Sequence, residues 1–147
     1  MPAEFKKMGL TFQYPENWTL DEQDAVKGCR SVTVYSPGGG IWSVSAHPRS
    51  TNPARLAQSA VAAMKDEYEG LEAQETRETV AGYDLVGFDL SFFYLDLTNT
   101  ATVRCTRTEQ GTYSIFCEAD DREFDRIHRV FDAMTASLLM NLKQPPM

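Results

Sequence analysis

The strongest constraint on the fold is a long apolar segment at residues 83–95. In an extended chain, alternate side chains point to opposite faces. Val86 and Leu90 would lie on one face, with Leu85 and Phe93 on the other. A strand that is apolar on both faces is usually covered on both sides. The sequence therefore predicts a sheet with residues 83–95 at its centre and other elements packed on each face.

Further strands are predicted from alternating polarity and from runs of β-branched residues. They cover residues 10–14, 18–23, 31–35, 41–47, 72–81, 100–107 and 112–119. Turn residues separate several of them, at 15–17, 37–40 and 110–111. Residues 72–81 are polar on both faces, which suits a charged edge strand. Because short turns join consecutive strands, the sheet should be antiparallel.

Two amphipathic helices complete the pattern. Asn52 is a good N-cap for the first, and Gly70 a good C-cap. Asp120 or Asp121 caps the second, which covers residues 122–142. Since each helix is apolar on one face only, each can cover one face of the sheet. The predicted fold is α+β, a twisted antiparallel sheet sandwiched between helices in an α/β/α arrangement.

The size and charge of the chain limit its organisation and its partners. Its 147 residues fit one domain spanning residues 1–147, with loose ends at 1–7 and 144–147. The net charge of −7 disfavours nucleic acid as a partner. No apolar run approaches the ~20 residues of a membrane span. The basic residues near the start precede no apolar stretch, so a chain with no signal removed is expected in the cytoplasm.

The opening of the chain resembles a known family. The Gly-Leu-Thr-Phe of residues 9–12, followed by Pro15 and Trp18, is similar to the start of PsbP-like domains, a group that includes the Mog and DcrB-type proteins. Phe131 and Leu138 in the last helix resemble the close of such domains. The resemblance implies an antiparallel sheet between helices, and a binding or assembly role more often than an enzymatic one. It transfers no functional residue, because Pro15 and Trp18 would turn the chain and fill the core.

The sequence contains no convincing catalytic or metal motif. Ser43, Ser45 and His47 alternate on one predicted strand. A serine nucleophile needs an imidazole within ~3 Å, whereas neighbours two apart on a strand lie ~7 Å apart. The glycine-rich turn at 37–40 precedes a strand instead of the helix that a phosphate loop needs. The two histidines and three cysteines match no metal-ligand spacing, so no metal, cofactor or catalytic residue is predicted.

Two further features leave alternatives open. Asp89 is a carboxylate within residues 83–95. A buried carboxylate there would mark a site, and a solvated one is the simpler interpretation. Cys105 and Cys117 lie in strands predicted to pair, so their thiols could face each other or simply fill the core.

Two groups of residues are candidate surfaces. The first is an apolar partner or ligand surface, for which ordinary core is the alternative: Trp42, Phe92, Phe93, Tyr94 and Leu95. The second is an acidic patch that could attract a basic partner or simply be solvated: Asp66, Glu67, Glu69, Glu72, Glu75 and Glu78. The sequence thus predicts a small non-enzymatic binding or adaptor domain with a protein partner. The alternative is a small-ligand-binding protein or enzyme with a pocket between sheet and helix.

Overall fold

The computed structural model describes residues 2–26 and 29–142, with side chains described outside residues 23–29. Within these ranges the elements are β1 (Pro2–Lys7), β2 (Leu10–Pro15), β3 (Thr19–Val26), β4 (Cys29–Tyr35), β5 (Ile41–His47), α1 (Pro53–Glu67), β6 (Glu72–Val80), β7 (Tyr83–Tyr94), β8 (Leu97–Arg107), β9 (Thr112–Asp120) and α2 (Asp121–Leu142). The predicted loose end at 144–147 lies outside the described residues, as do residues 27–28 of the loop before β4.

The strands form two antiparallel sheets. The larger has seven strands in the order β3-β4-β5-β9-β8-β7-β6, and the smaller pairs β1 with β2. The last strand, β9, lies between β5 and β8 and joins the two halves of the larger sheet. The prediction of an α+β fold with an antiparallel sheet between helices is confirmed.

The position predicted for residues 83–95 is wrong. β7 is the second strand from an edge, and β9 is the central strand. Both faces of β7 still contact a core, since Leu85 packs on the α2 side and Leu90 on the α1 side. The edge position predicted for residues 72–81 is confirmed by β6.

The loose end predicted for residues 1–7 is also wrong over residues 2–7. β1 pairs with β2 from Pro2 to Lys7. The Phe5 side chain is buried, and its ring stacks on that of Phe12 with centroids 5.2 Å apart. Backbone pairing and one aromatic contact with the next strand therefore order a segment whose own sequence is mostly polar.

The helices cover opposite faces of the larger sheet. α1 packs on β7, β8 and β9, while α2 packs on β8 and β9 and against β2 of the small sheet. Each face has its own hydrophobic core. Cys117 lies in the α2-side core and Cys105 in the α1-side core, so their thiols do not face each other.

Local capping follows the sequence closely. Asn52 Oδ1 accepts hydrogen bonds from Ala54 N and Arg55 N at the start of α1, as predicted. Asp120 Oδ1 accepts one from Glu123 N at the start of α2. The C-cap of α1 is Tyr68, two residues before the predicted Gly70, which instead supplies a left-handed turn (φ +77°) after the helix.

Candidate functional site

The hairpin of β7 and β8 ends in an exposed apolar tip, formed by Phe93, Tyr94, Leu95 and Leu97. These side chains are 70%, 53%, 78% and 55% exposed. The central turn residues, Leu95 and Asp96, have φ values of +50° and +63°. A left-handed conformation costs a residue such as leucine about 1–2 kcal/mol, and Asn-Gly is the usual choice at such a turn. Folding alone therefore does not account for leucine at this position.

The base of the apolar tip is fixed to the end of α1. The Tyr68 ring packs on Phe92 with centroids 4.3 Å apart and meets Tyr94 edge-on at 5.9 Å. The Phe92 side chain is only 3% exposed. The exposed side chains therefore stand on an ordered aromatic support.

Two residues of the predicted apolar surface lie in the core and cannot contribute to it. Phe92 is covered by Tyr68. Trp42 is completely buried on the α2 side, where its Nε1 donates to Thr135 Oγ1 at 3.1 Å. Sequence reasoning missed Leu97, although it is opposite Tyr94 in the hairpin register. The exposed members are thus Phe93, Tyr94 and Leu95 from the prediction, with Leu97 added.

Negative charge borders the apolar tip. Three exposed carboxylates lie within two residues of Tyr68, and a fourth lies in the turn; together they form an acidic rim of Asp66, Glu67, Glu69 and Asp96. Burial raises the pKa of Tyr68, and the charges of Glu118 and Glu67 raise it further. Burial likewise raises the pKa of Glu118, with an added effect of Glu67. The surroundings of the apolar tip therefore favour cations over anions.

The structure divides the predicted acidic patch. Glu75 is opposite Phe88, on the α1 side of the sheet, whereas Glu78 is opposite Leu85, on the α2 side. Glu72 lies on the same face as Glu78, because alternate residues share a face. All six predicted acids are exposed. Only the three at the end of α1 belong to the acidic rim.

A cleft of about 480 Å³ lies between α2 and strands β6, β8 and β9. We refer to it as the α2 cleft. Its lining includes Ile115, Cys117, Phe124 and Phe131, and also Val80, Thr102, Thr135 and Ala136. Its charged or titratable members are Glu78, Arg104, His128 and Asp132. The α2 cleft thus combines apolar walls with several polar groups, which is the usual make-up of a small-ligand pocket.

Arg104 is held in place by its neighbours. Its Nη2 contacts Asp89 Oδ1 at 2.6 Å, its Nη1 donates to Phe88 O at 3.0 Å, and its Nε lies 3.4 Å from Glu78 Oε1. The Arg104 side chain is 12% exposed and that of Asp89 52%. Asp89 is therefore a solvated ion-pair partner, as the simpler interpretation held.

The surroundings of the thiol in the α2 cleft disfavour its ionised form. Burial raises the pKa of Cys117 to about 12. The nearby carboxylates of Asp132 and Glu78 also disfavour the thiolate, although Thr102 and Arg104 oppose them. Since the thiolate is the nucleophilic form, Cys117 is a packing residue at neutral pH.

The distance argument against a serine–histidine pair is wrong. Ser45 Oγ and His47 Nε2 lie 2.8 Å apart, because side chains on a strand can lean along it. Burial lowers the pKa of His47, which favours the neutral imidazole. However, β5 is flanked by β4 and β9, so its backbone N–H groups serve the ladders and are not free to form an oxyanion hole.

Within residues 2–26 and 29–142 no group of three or more His, Cys, Asp or Glu side chains is placed to hold a metal ion. Over the same part of the chain, neither helix combines the length and apolarity needed to cross a bilayer.

The fold has PsbP-like architecture. No protein-family model matches the chain, and neither does any curated protein sequence. Among solved structures it is similar to cyanobacterial PsbP (CyanoP) from Synechocystis sp. PCC 6803, with a TM-score of 0.62 and 14% identity over 92% of this chain and 90% of that one.

Two further similar structures come from other bacteria. PA94 of Pseudomonas aeruginosa, a protein of unknown function and putative regulator, has a TM-score of 0.53 and 9% identity over 99% of both chains. LpqN of Mycobacterium tuberculosis, involved in cell envelope biogenesis, has a TM-score of 0.50 and 14% identity over 91% of this chain and 86% of that one. At these identities the likeness shows the fold alone. The relation to Mog and DcrB-type proteins stays a prediction.

Proposed function

We propose that this chain is a non-enzymatic binding domain that engages another protein through its apolar tip. The observation that carries the proposal is the exposure of Phe93, Tyr94 and Leu95 on a hairpin whose turn places leucine in a left-handed conformation. Strained backbone and exposed apolar area both oppose folding, and both are typical of recognition sites.

The charge around the apolar tip indicates the kind of partner. An apolar groove bordered by lysine or arginine would bury the tip and complement the acidic rim. A bilayer is the competing acceptor for exposed apolar side chains. Anionic headgroups would be repelled by the rim and by the net charge of −7. The charges thus favour a protein over a membrane surface.

The test replaces the two central turn residues with residues that favour the turn conformation but lack the apolar side chain proposed to contact the partner. The double variant Leu95→Asn/Asp96→Gly removes the central leucine and introduces the preferred residues for two left-handed positions. We expect its melting temperature to stay equal or rise, while partner binding falls. Phe93→Asp should also reduce binding with little change in stability, because the Phe93 side chain is 70% exposed.

Met140→Ser is the matched control, since Met140 is 60% exposed on α2, away from the hairpin. Candidate partners come from quantitative crosslinking in the source organism with wild type and the variants. Each is then purified and titrated calorimetrically at two salt concentrations. Tip-dependent and salt-weakened binding of a purified protein supports the proposal. Unchanged binding by both tip variants, or tip-dependent flotation with anionic vesicles and no protein partner, contradicts it.

The cytoplasm remains the predicted location of this domain. Fractionation of cells expressing the full natural chain tests this prediction, and recovery in the cell envelope would contradict it.

A further inference from the structure

We propose that the α2 cleft binds a small organic cation, meaning an apolar body that carries an ammonium or guanidinium group. The volume of about 480 Å³ falls in the range of natural ligand pockets, ~300–1,000 Å³. The cleft lies apart from the hairpin turn at residues 95–96, so this proposal does not depend on the apolar tip.

The position of α2 explains why the cleft exists. α2 packs on β8, β9 and β2, so the part of the same sheet face formed by β6 and β7 extends beyond it. Arg104 on β8 reaches Glu78 on β6 by crossing β7. The crossing occurs where Gly87 is paired with Arg104 and presents no side chain. As a result, one side of the α2 cleft is lined by charged side chains and the other by apolar ones.

The apolar part suits the body of a ligand. Phe124 and Phe131 contact each other with ring centroids 5.9 Å apart, and both line the cleft. Ile115 and Val80 add aliphatic surface from the sheet. Aromatic rings also attract cations through their electron-rich faces.

The charged side chains at the α2 cleft favour a ligand with a positive charge. Arg104 directs its Nη atoms to Asp89 and to backbone carbonyls. Its Nε has no hydrogen-bond partner but is buried, so a ligand cannot reach it, and it lies 3.4 Å from Glu78 Oε1. Two carboxylates line the cleft: that of Glu78, which is paired with Arg104 and has a side chain 46% exposed, and that of the exposed Asp132. With Asp89 included, three carboxylates accompany one guanidinium, so an anionic group would meet an excess of negative charge, whereas a cation would be paired by it.

The probes are three compounds with the same phenyl body and different charge: phenethylamine, phenethyl alcohol and hydrocinnamate. Binding is followed by the amide chemical shifts of the labelled protein. We expect saturable shifts at residues lining the α2 cleft with phenethylamine, and an affinity about fivefold or more above that of the other two, or about 1 kcal/mol. N-acetyl-lysine amide and N-acetyl-arginine amide are tested in the same way. If they bind more tightly than phenethylamine, the source of the cation is a basic side chain of a partner protein. If phenethylamine binds more tightly, the source is a small metabolite.

Two substitutions locate the site. Asp132→Asn should weaken phenethylamine binding about fivefold without disturbing Arg104, because Asp132 is exposed on α2 and the ion pairs of Arg104 are with Asp89 and Glu78. Glu75→Gln is the matched control, since Glu75 lies on the opposite face of β6 from Glu78 and should leave binding unchanged. Equal binding of the three probes, shifts outside the cleft, or an unaffected Asp132→Asn variant would overturn the proposal. Partner binding through the apolar tip would be unaffected by any of these results.

Discussion

Replacing Trp42 with alanine should lower the free energy of unfolding by ~3–5 kcal/mol, the usual effect of truncating a large core aromatic. The Trp42 side chain is completely buried, and the centroid of its ring lies 4.7 Å from the centroid of the Phe12 ring. Its Nε1 also donates to Thr135 Oγ1, which is buried with it. The loss therefore combines lost packing with the ~1–3 kcal/mol penalty of leaving a buried hydroxyl unsatisfied.

Trp42→Phe separates these two contributions. It keeps an aromatic ring against Phe12 and removes only the indole donor, so we expect a loss of ~1–3 kcal/mol. Adding Thr135→Val to Trp42→Phe removes the orphaned hydroxyl and should recover part of that loss. A double-mutant cycle then gives the coupling between the two side chains.

Urea unfolding, followed by circular dichroism, measures each variant. A domain of this kind has a total stability of ~5–15 kcal/mol, so Trp42→Ala removes a large share of it and Trp42→Phe is the safer variant. If both variants unfold within ~0.5 kcal/mol of wild type, the range of ordinary surface substitutions, then Trp42 is not in the core. The hypothesis of Trp42 as a surface residue would then return.

Three other variants test the remaining structure. Trp18→Ala should lower the free energy of unfolding by ~3–5 kcal/mol, because Trp18 is buried against α2. An unchanged urea midpoint would place the indole in solvent. Gly87→Ala should lower the free energy of unfolding by at least ~1–3 kcal/mol, because a Cβ there would overlap the Val103 carbonyl oxygen and push β7 away from β8. Wild-type stability of this variant would show that the two strands are not so close. Glu118→Gln should stabilise the fold at neutral pH by less than ~1 kcal/mol, since Glu118 is partly exposed. Folding raises the pKa of Glu118, so its carboxyl stabilises the fold below the unfolded pKa of ~4.3 and loses that contribution as pH rises through the folded pKa. The advantage of glutamine should therefore disappear below about pH 4 in urea titrations, and a constant advantage would contradict the assignment.

Local sequence determined much of the secondary structure. Alternating polarity gave the strands, and capping residues such as Asn52 and Asp120 marked the helix starts. These features depend on residues a few positions apart, so they can be recognised without knowing the rest of the fold. The prediction of two helices on an antiparallel sheet follows from the same local patterns.

Strand order and surface exposure depended on contacts between distant parts of the chain. The central place of β9 arises from pairing with β5, about 70 residues earlier, and no local pattern encodes that partner. The segment at residues 2–7 is a strand because it pairs with β2, and the contact of Phe5 with Phe12 adds to that pairing.

Phe92 and Phe93 show most directly what the tertiary structure decided. They are neighbours with identical side chains, and by sequence both could belong to the core or to a surface. Alternation sends them to opposite faces of β7. Tyr68 at the end of α1 covers Phe92, whereas Phe93 stays 70% exposed. The sequence by itself determined that both faces of this strand are apolar. Only the placement of the two helices decided which apolar side chains are buried, because burial depends on what packs against a residue as well as on the residue itself.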